Sequence, residues 1–121
     1  MKLLTGKEEE LLRLFWQYGK MQTKAIQETY DDPVPHINTI STIVRSLEDK
    51  GFVSHESKGR SFIYYATLSE VQYNKKFLRT VVSKYFHNSF KSAVSALVEE
   101  ETISVDELKE LITEIENQPS K

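Results

Sequence analysis

NTISTIVRSLEDKGFVSHESKGRSFIYYA, residues 38–66, holds the two elements from which the architecture follows. Ile40, Ile43, Val44 and Leu47 fall at i, i+3, i+4 and i+7, the spacing of one buried stripe on an α-helix. Asn38 is suited to open that helix and Gly51 to end it. Beyond Gly51, FVSHE and SFIYYA are short, β-branched and aromatic, and they flank SKGR, whose glycine permits a tight reversal. The spacing predicts an amphipathic helix followed directly by a β-hairpin.

Upstream, Thr5 and Glu8 form a capping-box pattern, in which hydroxyl and carboxylate satisfy orphan backbone donors at a helix start. Leu11, Leu12, Leu14, Phe15 and Tyr18 then recur at helical spacing as far as Gly19, which predicts a helix over 6–18. Thr23 can cap a second, short helix, KAIQETY, which Asp31, Asp32, Pro33 and Pro35 end before a loop containing His36. Three helices and a two-stranded hairpin in this order make a helix-turn-helix followed by a wing.

Downstream of Ser69 the character changes. EVQYNKKFLRTVVSKYFHNSFKSAVSALVEEE contains neither Gly nor Pro and is expected to be helical, with a break near His87 to Ser89. Ser104 and Glu107 form another capping box ahead of VDELKELITEIE, where Val105, Leu108, Leu111, Ile112 and Ile115 make a final apolar stripe. The expected fold class is mainly α with a small β-hairpin: a winged helix-turn-helix domain over 1–68 and a helical segment over 69–121.

Composition narrows the functions open to such a chain. With 121 residues, 39% of them hydrophobic, and a formal charge of -2, the sequence suits one domain of usual size or a small domain with an assembly segment. No apolar run approaches the roughly 20 residues of a membrane span, and the opening MKLLTGKEEE turns acidic where a signal peptide needs its apolar centre, so a cytoplasmic location without membrane insertion is expected. The absence of Cys excludes disulfides, thiolate nucleophiles and Cys-ligated metal. There is no P-loop, dinucleotide-binding glycine turn, nucleophile elbow or HExxH pair, so neither enzyme activity nor a cofactor or metal is expected. The weakly negative sum also hides a segregation of charge. Residues 1–68 carry nine basic and nine acidic side chains, 69–98 five and one, and 99–121 two and eight. The acidity sits in the tail, which frees the first half to present a local basic face.

With Ile40 at the centre of the inward face, about 100° per residue puts Asn38, Thr42 and Arg45 on the opposite side of the helix, with Ser41 and Ser46 at its edges. Short polar side chains let a helix approach bases in the major groove. Asn and Arg can make bidentate contacts there, and Thr can meet a thymine methyl. Lys58 and Arg60 beside Gly59 suit a wing that reaches the phosphate backbone or the adjacent minor groove, and His36 is a further candidate for a phosphate. A solvated polar face has the same composition, so a winged-helix module that binds protein without sequence-specific DNA binding is the competing reading. Salt sensitivity separates the two.

The apolar sector formed by Val71, Phe77, Leu78, Val81, Val82, Tyr85 and Phe86 is wider than one small winged-helix core needs, which points to a homodimer interface completed by Leu108, Leu111, Ile112 and Ile115.

Residues 38–66, the following TLSEVQYNKKFLRTVVSKYF and the closing ISVDELKELITEIE resemble the penicillinase-repressor family of bacterial transcriptional regulators over nearly the whole chain. The resemblance implies a winged-helix domain that binds a palindromic double-stranded DNA operator and a C-terminal helical segment that forms the homodimer. It implies a recognition helix at 38–50 and a basic wing at 57–61, with Thr39 and Thr42 matching threonines that the family places near DNA. Ser41 departs from members that carry a basic residue there, so their operator sequence does not transfer. The resemblance also implies induction by a membrane protease sensor within SAVSALVEEE, where Ala96 and Leu97 stand in place of the Asn-Phe pair of the best-known members. Copper-responsive relatives use Cys motifs, which this chain lacks.

Overall fold

The computed structural model describes residues 1–117, with Ile115 and Glu116 described by their backbone alone. The elements run α1 (Gly6–Tyr18), α2 (Thr23–Glu28), α3 (Ile37–Asp49), β1 (Val53–Lys58), β2 (Ser61–Ala66), α4 (Glu70–Tyr85), α5 (Phe90–Glu99) and α6 (Val105–Glu116). The first five form a helix-turn-helix with a wing. By internal packing the chain divides into Met1–Phe77 and a second unit from Leu78 onward, a boundary that falls inside α4.

The first unit is built on one apolar cluster. Leu11, Leu12 and Phe15 of α1, Ile26 of α2, and Ile40, Val44 and Leu47 of α3 are buried together with Met21, Phe52, Val53 and Tyr73. The stripe expected on α3 faces this cluster, with Ile43 half-buried at its margin. Tyr18, expected on the inner face of α1, is exposed instead. It sits in the last turn, where α1 has run past the core and Gly19 takes a positive φ of 82°.

Local chemistry sets the element ends. Thr5 Oγ1 accepts from the Glu8 backbone N–H at 3.2 Å, and Glu8 Oε1 accepts from the Thr5 N–H at 2.8 Å, which completes the expected capping box. Thr23 does not cap α2; it is the first helical residue, and Gln22 precedes it without a side-chain cap. Asn38 does not open α3 either. His36 is the N-cap, its Nδ1 accepting from the Asn38 N–H at 3.0 Å, so the cap lies two residues earlier than the polar pattern suggests and the helix ends at Asp49. The reason is that the His36 imidazole nitrogen satisfies the orphan Asn38 N–H, a donor that a cap at Asn38 itself would leave open.

The hairpin is longer than FVSHE and SFIYYA imply. Ser57 and Lys58 remain in β1, and Lys58 pairs with Ser61, so the loop is the dipeptide Gly59–Arg60. Gly59 has φ 62° and Arg60 has no positive φ, the pattern of a type II′ turn, whose twist suits paired strands. Met21 adds a single antiparallel bridge on the free edge of β2. The Met21 and Tyr64 amides each donate to the other's carbonyl at 2.9 Å. This bridge ties the α1–α2 turn to the wing.

The first turns of α4 belong to the same unit. Trp16 Nε1 donates to the Leu68 carbonyl at 3.0 Å, and Tyr73 packs its ring against Trp16 and Phe52 with centroids 5.4 and 5.7 Å away. Ser69 and Gln72 supply a reciprocal cap at the start of α4.

In the second unit the break between α4 and α5 lies where expected. His87 and Asn88 take φ of 50° and 65°, and Ser89 caps α5 by accepting from the Ser92 N–H at 3.1 Å. Ser104 and Glu107 cap α6 reciprocally, at 3.0 and 3.3 Å. Among the described residues no helix is long and apolar enough to cross a membrane.

Candidate nucleic-acid interface

The exposed side of α3 carries Asn38, Thr39, Thr42 and Arg45, with Ser41 half-buried beside them. This is the face that lies opposite Ile40, as the helical period requires. Thr42 Oγ1 donates to the Asn38 carbonyl at 2.9 Å, which spends its proton within the helix and leaves its methyl group and an acceptor lone pair outward. His36 is exposed, and because Nδ1 is occupied as an acceptor, the neutral ring carries its proton on Nε2, free to donate outward. Its role as a helix cap and a contact to phosphate are thus compatible.

A buried carboxylate that the sequence did not single out for this purpose sets the pose of α3. Glu8 is 4% exposed. Its Oε2 accepts from Ser46 Oγ at 2.5 Å, and its Oε1 accepts from Lys50 Nζ at 2.8 Å. Burial by itself would raise the pKa of Glu8, but the combined donors Lys50, Ser46 and Thr5 outweigh it and lower the value to about 2. Glu8 therefore stays charged and pins the C-terminal half of α3 to the N-terminus of α1. Lys50, within the expected recognition segment, is committed to this pair. The capping pattern Thr5–Glu8 pointed to Glu8 in the sequence, but it gave no sign of the contacts to residues about forty positions away.

On the wing, alternation of side chains divides the residues between two faces. His55 and Tyr64 share one face with Phe62, whose ring lies 4.4 Å from His55 and 6.4 Å from Tyr64 by centroids. His55 also contacts Glu48 of α3 through Nδ1 at 2.5 Å, linking the wing to the recognition helix. The opposite face carries Glu56, Tyr65 and Lys58. There Lys20 pairs with Glu56 and lies over the Tyr65 ring, 5.3 Å from its centroid. Hydrogen bonding and charge attraction from Glu56 raise the Lys20 pKa. Lys58 ends β1 and Arg60 sits in the turn itself, so the two cations expected together at the tip are brought close but on different structural elements. Among the described residues, Arg45, Lys58 and Arg60 form no ion pair with an acid, whereas Lys20 and Lys50 do.

The residues expected to form a dimer contact divide by burial. Val82 is buried within the chain at 2% exposure, so it would report on the packing of a single chain before it reported on association. Val81, Phe86 and Leu108 are half-buried. Phe77, Leu78, Tyr85, Leu111 and Ile112 are exposed, Leu78 and Tyr85 at 59% and 60%. Phe77 belongs to the first unit and stacks on Tyr73 at 6.2 Å. The side chain of Ile115 lies outside the described residues. Phe90 and Leu97 are exposed apolar residues of the second unit outside the expected contacts, and Val105 of the stripe expected on α6 is exposed as well. In α5, Ala96 is half-buried and Leu97 exposed.

The family model of the penicillinase repressor matches residues 4–117. The methicillin resistance regulatory protein MecI of Staphylococcus aureus strain N315 is 33% identical over 111 residues, which cover 89% of this chain and 89% of that protein. An uncharacterised 16.5 kDa protein encoded in the ptsI 3′ region of Latilactobacillus sakei is 24% identical over 109 residues, covering 89% of this chain and 75% of that one. The crystal structure of the transcriptional regulator PA4135 aligns with a TM-score of 0.48 and 15% identity over 84% of this chain and 79% of its own, a likeness too distant to bear on function. The match along 4–117, together with identity of this extent to MecI, shows that the chain belongs to the penicillinase repressor family, whose members are DNA-binding transcriptional repressors and not enzymes.

Proposed function

We propose that the chain is a homodimeric repressor whose two winged domains, each spanning about residues 1–68 and joined through the helical segment 69–121, occupy the halves of a palindromic operator. In each half, α3 enters the major groove, where Asn38, Thr42 and Arg45 meet base edges and Thr39 and Ser41 flank them. His36, Lys58 and Arg60 contact the phosphate backbone or the neighbouring minor groove.

The observation that carries this reading is the outward face of α3. Its first three turns expose hydroxyl, amide and guanidinium groups and no carboxylate, while among the described residues Arg45, Lys58 and Arg60 have no acidic partner. Unneutralised cations beside a slim polar helix are what a polyanion of regular groove width attracts.

Support for the dimer comes from the exposed Leu78, Tyr85, Leu111 and Ile112, whose burial against a second copy would remove apolar surface from water. A dimer also reads two half-sites where one domain reads few base pairs. Induction through a membrane protease sensor would act on α5, at Ala96 and Leu97, and incubation with sensor-bearing membranes followed by mass analysis of the fragments tests that assignment.

The deciding experiment is selection of duplexes from a random-sequence library, followed by a salt titration on the winner. A palindromic consensus and a steep linear fall of log K with log salt are expected. Absence of enrichment at low ionic strength overturns the reading, and binding to protein partners that salt leaves unchanged would favour the interaction module instead.

A further inference from the structure

Between α2, α3 and the wing lies a groove of about 360 Å³ lined by Lys24, Ser41, Arg45 and Phe62, with Gln22, Thr23, Ser61 and Tyr64 completing its walls. Among the described residues no acidic side chain lines it. Lys24 and Arg45 are exposed, and neither pairs with an acid among the described residues. Phe62 is the unexpected member: an aromatic residue 47% exposed at the second position of β2, two residues after Arg60. Its ring is held against His55 and Tyr64 on the wing face that looks into the groove. Tyr64 is fixed in turn by its backbone bridge to Met21. The ring is therefore presented in place, and binding against it costs little further side-chain entropy.

We infer that this groove seats the sugar-phosphate backbone of one DNA strand, with Lys24 on a phosphate and the Phe62 ring against the adjoining deoxyribose. The inference rests on the DNA-binding reading above and deepens it. A nucleic-acid backbone alternates an anion with an apolar-faced sugar, and the groove offers a cation and an aromatic face side by side. Arg45 forms the shared wall, so the strand whose base edge it reads is the strand whose backbone lies between Lys24 and Phe62. Contacts of this kind hold register without distinguishing sequence.

The test uses the full chain and two duplexes, one recovered by the wild-type chain from a random-sequence library and one scrambled. Lys24→Gln is expected to weaken both duplexes by the same factor and to reduce the slope of log K against log salt by about 1.8 for the dimer, as loss of one phosphate contact from each subunit does. Phe62→Ala is expected to weaken both by about tenfold, the worth of roughly 50 Å² of apolar surface, with the salt slope unchanged. Phe62→Leu should retain most of the affinity. Replacing chloride by inorganic phosphate at equal ionic strength should compete no better than chloride itself. Unchanged affinity in both Lys24→Gln and Phe62→Ala, with Arg60→Gln weakened, overturns the groove assignment while DNA binding stands. Displacement of the duplex by inorganic phosphate makes the groove a free-anion site and overturns it equally. Failure of the wild-type chain to bind either duplex removes the underlying reading instead.

Discussion

Up to Phe77 a central set of apolar side chains closes on itself, and Leu11, Leu12, Ile26, Ile40, Val44 and Leu47 are fully buried, although Tyr18, Val34, Phe62 and Val71 stand exposed around it. From Leu78 onward, Val82 is the one large apolar residue among those described that is buried, while Leu78, Tyr85, Phe90, Leu97, Val105, Leu111 and Ile112 stand exposed. Both stretches have amphipathic helices with sound caps, so helix formation does not separate them. What separates them is whether one chain supplies enough apolar partners. The first unit stacks three helices and a wing around a shared centre, whereas the helices after Leu78 each present a stripe that the same chain leaves largely uncovered. Isolated amphipathic helices gain most of their stability from covering that stripe, so the second unit has the energetic profile of a segment completed by association.

The strongest way to break this comparison is to charge the uncovered face. Leu78→Asp combined with Tyr85→Asp is expected to give monomers by sedimentation and to lower affinity for a two-half-site duplex on the order of 10³-fold, since bivalent binding is lost. The melting of the first unit should be unaffected. An unchanged dimer would mean that the exposed stripe is not the joining surface.

Truncation inside the closed core should behave in the opposite way. Leu47→Ala is expected to cost about 4 kcal/mol in urea unfolding, because it opens a cavity at a fully buried site. Leu111→Ala, made on the exposed stripe, should leave the unfolding of dilute monomer within about 0.5 kcal/mol of wild type. Equal costs at the two positions would erase the contrast between the units.

Acid sharpens the picture within the first unit. Glu8 has a folded pKa lowered from 4.5 to about 2, so the stability that its charge contributes is fully present above pH 4.5. That contribution is lost as the pH falls from there through about 2. It amounts to about 2 to 3 kcal/mol, somewhat less than the full shift implies because Lys50 is partly open to solvent. Glu8→Gln should remove most of this dependence, which chemical denaturation across pH 2 to 6 would show. DNA affinity of the variant should also fall at neutral pH, as α3 loses its tether to α1.

The smallest expected effects lie on the surface of α3 and the wing. Arg45→Ala should lower affinity for the selected duplex by about 1 to 2 kcal/mol and relax base preference at one position, measured against a panel of single-base variants. Arg60→Ala should weaken selected and scrambled duplexes alike by about 1 kcal/mol per subunit and flatten the salt slope of the dimer by about 1.8. Parallel losses on both duplexes for Arg45→Ala would move that residue from reading bases to holding the backbone.

Much of this architecture was legible in the residues themselves. The stripe Ile40, Val44, Leu47 and the caps at Thr5 and Ser104 are local patterns, and the structure repeats them because hydrogen bonding and the 3.6-residue period act between near neighbours. The outward position of Asn38, Thr42 and Arg45 followed from the same period. His36 as the cap of α3 was not legible, because a polar run such as His36, Asn38 and Thr39 offers several side chains each able to cap a helix start, and the choice among them depends on where the helix begins.

The sequence by itself thus determined the order of helices and hairpin and which side of α3 faces outward, since each depends on residues within a turn or two of one another. Only the tertiary structure decided that Glu8 locks Ser46 and Lys50, that Met21 bridges Tyr64, and that Lys24, Arg45 and Phe62 line one groove. Those contacts join residues far apart in the chain through single side chains or a single bridge. A lone long-range contact has no period and leaves no repeating trace in the order of residues; it exists only once the core has brought its partners together.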